Sequence, residues 1–126
     1  MRVNPLLSFA AIASMTTVGL LGTSAVNGAA LFFYKTTVKT SSEATCYAFA
    51  RDTARLLGFT NVRSNNLEVA GQKDGAYISI TCIGRGSGLQ AVAVVMSVAD
   101  NFDVAKRAGT LAGEKIKGII CFDEPC

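Results

Sequence analysis

Cysteine is the residue type whose number and placement say most about the chemistry of this sequence. The chain has four cysteines, Cys46, Cys82, Cys121 and Cys126. An even number of cysteines in a small exported domain is typical of disulfides. No two of them form the Cys-x₂-Cys pair common in structural zinc sites, so we expect no metal centre.

The sequence favours one of the three possible connectivities, Cys46–Cys82 together with Cys121–Cys126. Cys46 lies on the apolar side of a predicted helix, and Cys82 lies on the inward side of a predicted strand. Cys121 and Cys126 are close together in the C-terminal tail, where Pro125 favours a turn. The alternatives are buried free thiols for the first pair and an unpaired, frayed tail for the second.

Histidine is absent, which removes the commonest general base and every nucleophile that depends on an imidazole. The carboxylates are weak substitutes. Asp100 and Asp103 are better explained as helix-capping charges, and Asp123-Glu124 as a solvated acidic pair in the tail. We therefore assign no catalytic residue and no cofactor. An enzyme that uses carboxylates or a thiol without histidine is kept as an alternative function.

Three residues are candidate binding contacts. Arg85 lies at the tip of the glycine-rich connector 84–88, between two predicted strands. Phosphate-binding loops of similar composition precede a helix, so a hairpin connector is the better interpretation. Tyr34 and Tyr77 are assigned to the outer face of the predicted sheet, where tyrosines can recognise a protein. The alternative is an ordinary solvated face.

Residues 1–30 have the composition of a secretory signal peptide. Arg2 is followed by an apolar stretch with no further charge until Lys35, as in exported precursors. The triplets that end at Ala25 and Ala30 are both acceptable cleavage sites. Cleavage predicts a secreted or periplasmic protein with residues 31–126 as a single domain. The alternative is a membrane-tethered module in which residues 6–26 are retained as an anchor.

Strand patterns dominate the mature part. Residues 31–39 and 76–83 alternate between apolar and polar positions, as half-buried strands do. Residues 59–70 form one interrupted strand or two. Residues 89–98 are apolar on both faces, which suits a central strand covered at least partly on both sides.

Two helices are also predicted. The first begins with Thr40 as N-cap and Glu43 three positions on, and it ends at Gly58. The second begins at Asp100, which can cap it, and ends at Gly118.

The order strand, helix, three strands, helix predicts an α+β fold. The expected architecture is a two-layer sandwich, with an antiparallel sheet of about four strands and both helices on one face. Gly109 and Gly113 weaken the second helix, and we expect them to allow close approach to the sheet.

The composition also limits the expected partners. The net charge of +3 at pH 7 is too small to favour nucleic acid, and a membrane is expected only if the signal is uncleaved. The sequence thus predicts a small exported, disulfide-supported domain that acts by binding, with a protein as the expected partner. An inhibitor, an immunity protein or an envelope accessory protein would fit, and we favour these roles over an enzyme.

Overall fold

The computed structural model describes residues 28–121, which form five strands and two helices. In chain order they are β1 (Ala30–Thr37), α1 (Glu43–Leu57), β2 (Thr60–Ser64), β3 (Val69–Lys73), β4 (Ala76–Ile83), β5 (Val92–Ala99) and α2 (Phe102–Gly118). The strands make one sheet in the order β1-β5-β4-β3-β2, and every pairing is antiparallel. The predicted α+β class is therefore confirmed.

The sheet has five strands rather than about four because the segment after α1 divides into β2 and β3. The side chain of Asn65 makes the turn between them. Its Oδ1 accepts hydrogen bonds from the backbone N–H groups of Leu67 and Glu68, at 2.7 and 3.0 Å. This is the local bonding that makes asparagine a frequent turn residue.

The first helix begins two residues later than the sequence suggested. Ser42 is the N-cap, and its Oγ accepts a hydrogen bond from the N–H of Thr45 at 3.1 Å. Thr40 cannot serve, because its carbonyl accepts a hydrogen bond from the N–H of Ala91 at 2.7 Å. That bond keeps the segment extended next to the start of β5. The predicted end at Gly58 is correct, with a left-handed φ of 72°.

The buried side of α1 differs at its C-terminal end from the stripe that helical spacing predicts, which is Cys46, Phe49, Ala50, Thr53, Leu56 and Leu57. Cys46, Phe49 and Thr53 are buried as expected, whereas Leu56 is 53% exposed. Tyr47 is buried instead, and its hydroxyl donates hydrogen bonds to backbone carbonyls of the sheet layer. The helix is therefore rotated toward the side that carries Tyr47.

The second helix packs closely on β1 and β5. Asn101, not Asp100, is its N-cap, because the Asn101 side chain accepts the hydrogen bond from Val104 N–H at 3.0 Å. A Cβ at Gly109 would lie 2.6 Å from Ser97 Oγ, and one at Gly113 would overlap the ring of Tyr34. The close approach expected of these two glycines is confirmed.

The core lies between the helices and one face of the sheet. We call this the inner face, and the opposite one the outer face. Successive side chains of a strand point to opposite faces, and the inner positions of β4 and β5 are closed off from solvent. Those side chains are Ile78, Ile80, Cys82, Ala93, Val95 and Ser97.

Candidate functional site

The predicted disulfide Cys46–Cys82 is present and joins α1 to the inner face of β4. The S–S distance is 2.03 Å and the Cα atoms are 6.0 Å apart, within the usual range for this bond. Cys46 is 0% and Cys82 is 4% exposed. Because neither sulfur meets solvent, this disulfide is a structural link between the two layers rather than a reactive redox pair.

Cys121 is also disulfide-bonded and packs against the edge of the core. Its predicted partner, Cys126, lies outside the described residues. So do the acidic pair Asp123-Glu124 and residues 1–27 of the predicted leader 1–30. Within residues 28–121, no helix is long and apolar enough to cross a bilayer.

Arg85 lies exposed in the connector between β4 and β5, as expected, and it helps to hold that connector together. Its Nε donates a hydrogen bond to the carbonyl of Gln90 at 2.7 Å. The other side of the connector is held by Glu43, whose carboxylate accepts a hydrogen bond from the N–H of Gly84 at 2.8 Å. The sequence pattern assigns Glu43 a capping role alone, and this contact with the connector was not predicted.

The two candidate tyrosines lie on opposite faces of the sheet. Tyr77 is on the outer face, where Arg63 Nη2 donates a hydrogen bond to its hydroxyl oxygen at 2.7 Å. Tyr34 lies on the inner face, against Gly113 of α2. Its assignment to the outer face is therefore corrected. The reason is the register, which places Tyr34 opposite Val95, an inner residue of β5.

The surroundings of Tyr34 change its acidity. The Tyr34 hydroxyl donates a hydrogen bond to Glu114 Oε1 of α2. This hydrogen bond, followed by burial and by the negative charge of Glu114, raises the pKa of Tyr34 above its ordinary value of 10.0. Each of these influences favours the neutral phenol over the phenolate. The interaction links α2 to β1.

The outer face carries a contiguous apolar surface at its centre. On β5, the four outward positions are all apolar and only half-buried. β1 adds Leu31 and Phe33, which are 47% and 59% exposed, and β4 adds Ile83, which is 47% exposed. No element among residues 28–121 covers this surface. We call it the outer apolar patch, formed by Leu31, Phe33, Ile83, Val92, Val94, Met96 and Val98.

Two opposite charges flank this patch at the same level along the strands. Lys35 on β1 pairs in register with Val94 on β5, and Val94 pairs with Thr81 on β4. Glu68 immediately precedes β3 and continues its register to the level of Thr81. Its carboxylate accepts a hydrogen bond from the outer residue Ser79 at 2.5 Å. The patch thus has a cation on the β1 side and an anion on the β3 side.

A depression of about 610 Å³ lies at the end of the sheet, next to the turn between β3 and β4. It is lined by two carboxylates, Asp74 and Asp100. Asp74 is paired with Lys73 at 3.5 Å. Within the described range, no three histidine, cysteine or acidic side chains come together as a metal site.

Comparisons with protein-family models, curated proteins and solved structures give no match for this chain.

Proposed function

We propose that this chain is a small exported, disulfide-supported domain that acts by binding, and that its binding surface is the outer apolar patch. The observation that carries the proposal is β5. Its outward side chains Val92, Val94, Met96 and Val98 are as apolar as a core strand, yet no described element packs on them.

The energetic argument rests on the area of this surface. Each 100 Å² of apolar surface removed from water contributes about 2.5 kcal/mol. Contiguous apolar patches of several hundred Å² on a monomer usually mark an interaction site. On an open antiparallel sheet the outward positions are expected to be polar, but here β5 has no polar outward residue. A partner that covers β5 would remove the unfavourable exposure.

The charges favour a protein as the partner. The chain has a net charge of +3 at pH 7, and the patch itself is flanked by one cation and one anion. A polyanion such as nucleic acid would require a basic surface. Protein interfaces commonly combine an apolar centre with a polar rim of both signs. The rim formed by Lys35, Glu68 and Arg63 has that composition.

Export is part of the proposal, and the Cys46–Cys82 disulfide supports it, because disulfides persist in oxidising compartments. A tethered form with residues 6–26 retained would present the same patch beside a membrane. The thiol version of an enzyme is disfavoured, because Cys46, Cys82 and Cys121 are all disulfide-bonded.

Met96 provides a direct test, because it lies at the middle of the patch and is the only methionine after the leader. Oxidation of a methionine side chain by peroxide requires access to its sulfur. We expect Met96 to be protected in the protein's own compartment and to become oxidised rapidly in dilute purified protein. Equal, rapid oxidation in both samples would contradict the proposal. The carboxylate alternative predicts instead that Asp100→Asn abolishes an activity while Met96 protection is irrelevant.

A further inference from the structure

We propose that the partner on the outer apolar patch is a second copy of the chain, packed face to face about a two-fold axis parallel to the strands. This inference rests on the proposed function, since it names the occupant of the same surface. Two features of the outer face support it: its charges and its size.

The charges are placed so that the surface is complementary to itself. Lys35 and Glu68 lie at one level, on strands three positions apart in the sheet order β1-β5-β4-β3. A two-fold axis parallel to the strands keeps every residue at its level and exchanges the two sides of the sheet. When the axis runs between β5 and β4, Lys35 of each copy faces Glu68 of the other. The dimer then contains two equivalent ion pairs, as an isologous interface requires.

This geometry tolerates the twist between packed sheets. Sheets that stack face to face are rotated by about 30° relative to each other. With strands about 4.8 Å apart, Lys35 and Glu68 lie roughly 7 Å from the axis, where this rotation displaces facing positions by only about 4 Å. The flexible four-carbon stem of lysine spans that displacement.

The same axis also sets which side chains of the two copies face each other. Phe33, Met96, Ser79 and Ala70 lie at one level on β1, β5, β4 and β3. The two-fold places the exposed ring of Phe33 over Ala70 and the side chain of Met96 over Ser79, positions that are already 0% and 5% exposed in the single chain. Phe33 and Met96 therefore meet the side chains that cover these positions, among them Glu68, which is hydrogen-bonded to Ser79. One level along, Val98 faces Tyr77.

The projected area of the outer face lies at the lower limit for a specific dimer. Four strands spaced about 4.8 Å apart, with a rise of about 3.3 Å per residue, span roughly 500 Å² in projection. The relief of the side chains increases the accessible area beyond that value. A standard interface buries about 800 Å² on each partner, so face-to-face pairing of the whole outer face approaches this size.

The test is a charge exchange between two variants, followed by sedimentation equilibrium of the purified chain without its leader. Lys35→Glu alone places two glutamates together at both pairs, and Glu68→Lys alone places two lysines together. We expect each variant alone to dimerise at least about tenfold more weakly than the natural sequence. In a mixture of the two variants, both ion pairs are restored only in the heterodimer, which contains one chain of each variant. We therefore expect the mixture to form heterodimers as tight as the natural dimer.

Two controls make the result specific. Lys106→Glu reverses a charge on exposed α2, on the other side of the molecule, and should leave dimerisation unchanged. Ser79→Ala removes the hydrogen bond to Glu68 without a change of charge. It therefore distinguishes a displaced Glu68 side chain from charge repulsion as the cause of weaker dimerisation. Met96→Lys, near the axis, is a second disruptive variant that does not depend on Glu68, and we expect it to be monomeric.

Two results would overturn the second copy as the occupant. One is a chain that stays monomeric up to about 1 mM, beyond which a dimer would be weaker than about −4 kcal/mol. If Met96 is still protected in the native compartment, another protein covers the patch and the proposed function stands. The other result is a dimer that all the outer-face variants leave unchanged, which would point to pairing through the free edge of β1.

Discussion

The inner and outer faces of β5 are built from similar side chains in opposite surroundings. On the inner face, Val95 is fully buried, and Ser97 donates a hydrogen bond to the carbonyl of Ala105 in α2. On the outer face, Val94 and Met96 occupy alternate positions of the same strand and are only partly buried. β5 therefore has an apolar composition suited to two covering layers, and the described residues supply one.

The difference shows which features accompany a sheet face that another part of the same chain covers. The inner face combines small residues with a disulfide, and Gly109 and Gly113 let α2 approach closely. The outer face has neither a disulfide nor a described element above it. It has instead a polar rim of opposite charges, a feature of surfaces that associate. The following predictions compare matched substitutions on the two faces.

The largest effect is expected from removal of the disulfide on the inner face. Cys46→Ala/Cys82→Ala releases a link across a sequence separation of 36 residues. By the loop-entropy estimate the free energy of unfolding should fall by about 4 kcal/mol. Urea denaturation followed by circular dichroism measures this change.

Thr81→Ala is the matched outer-face control, because Thr81 is adjacent to Cys82 on β4 and points to the opposite face. Its cost should be below about 0.5 kcal/mol. A double cysteine variant that is as stable as the natural protein would mean that packing alone holds α1 on the sheet.

The next effect compares two isoleucines of the same strand. Ile80 is 0% exposed on the inner face, and Ile83 is 47% exposed on the outer face. Ile80→Ala creates a cavity and should lower the free energy of unfolding by about 3 kcal/mol. Ile83→Ala removes the same atoms from a half-solvated site and should cost less than about 1 kcal/mol in the monomer.

Protein concentration sharpens this comparison. The loss of stability that Ile83→Ala causes should be larger at protein concentrations where the outer face is covered, because association stabilises the folded state by mass action. Ile80→Ala should show the same cost throughout. A large loss for Ile83→Ala in dilute monomer would mean that Ile83 belongs to the core of the single chain.

Much of the fold could be predicted from local patterns. The helical spacing in α1, the end at Gly58 and the inward positions of Cys46 and Cys82 gave the first helix and its disulfide. The apolar run of β5 correctly indicated an interior strand of the sheet, but no described element covers its outer face as a strand covered on both sides would require. These features depend on residues that are neighbours in the sequence, which is why periodicity reveals them.

The errors arose where distant parts of the chain decide the outcome. Alternation in β1 separates Phe32 and Tyr34 from Phe33 and Lys35, but it does not say which set faces the helices. Pairing with β5 decides that, and so it places Tyr34 inside. Thr40 is not the N-cap, because its carbonyl accepts a hydrogen bond from the N–H of the distant residue Ala91. The shared position of Lys35 and Glu68 along the strands likewise follows from three strand pairings, β1 with β5, β5 with β4 and β4 with β3.

The smallest predicted effect compares the two tyrosines in alkaline solution. The hydrogen bond to Glu114, followed by burial and by the negative charge of Glu114, raises the pKa of Tyr34 in the folded protein. A raised folded pKa means that the folded state retains the proton more strongly than the unfolded state does. Its contribution to stability is therefore fully present below the ordinary value of 10.0. It is lost as the pH rises through the higher folded pKa.

Tyrosine absorbance at alkaline pH, with denaturation at each pH, tests this prediction. Tyr34→Phe should remove the last step of the phenolate titration and make stability less steeply dependent on pH above 10.0. Tyr77→Phe, on the outer face, is the control and should retain that last step. If both variants retain it, Glu114 does not hold the Tyr34 proton in solution. The contact between α2 and β1 would then depend on Gly113 and the aromatic packing around it.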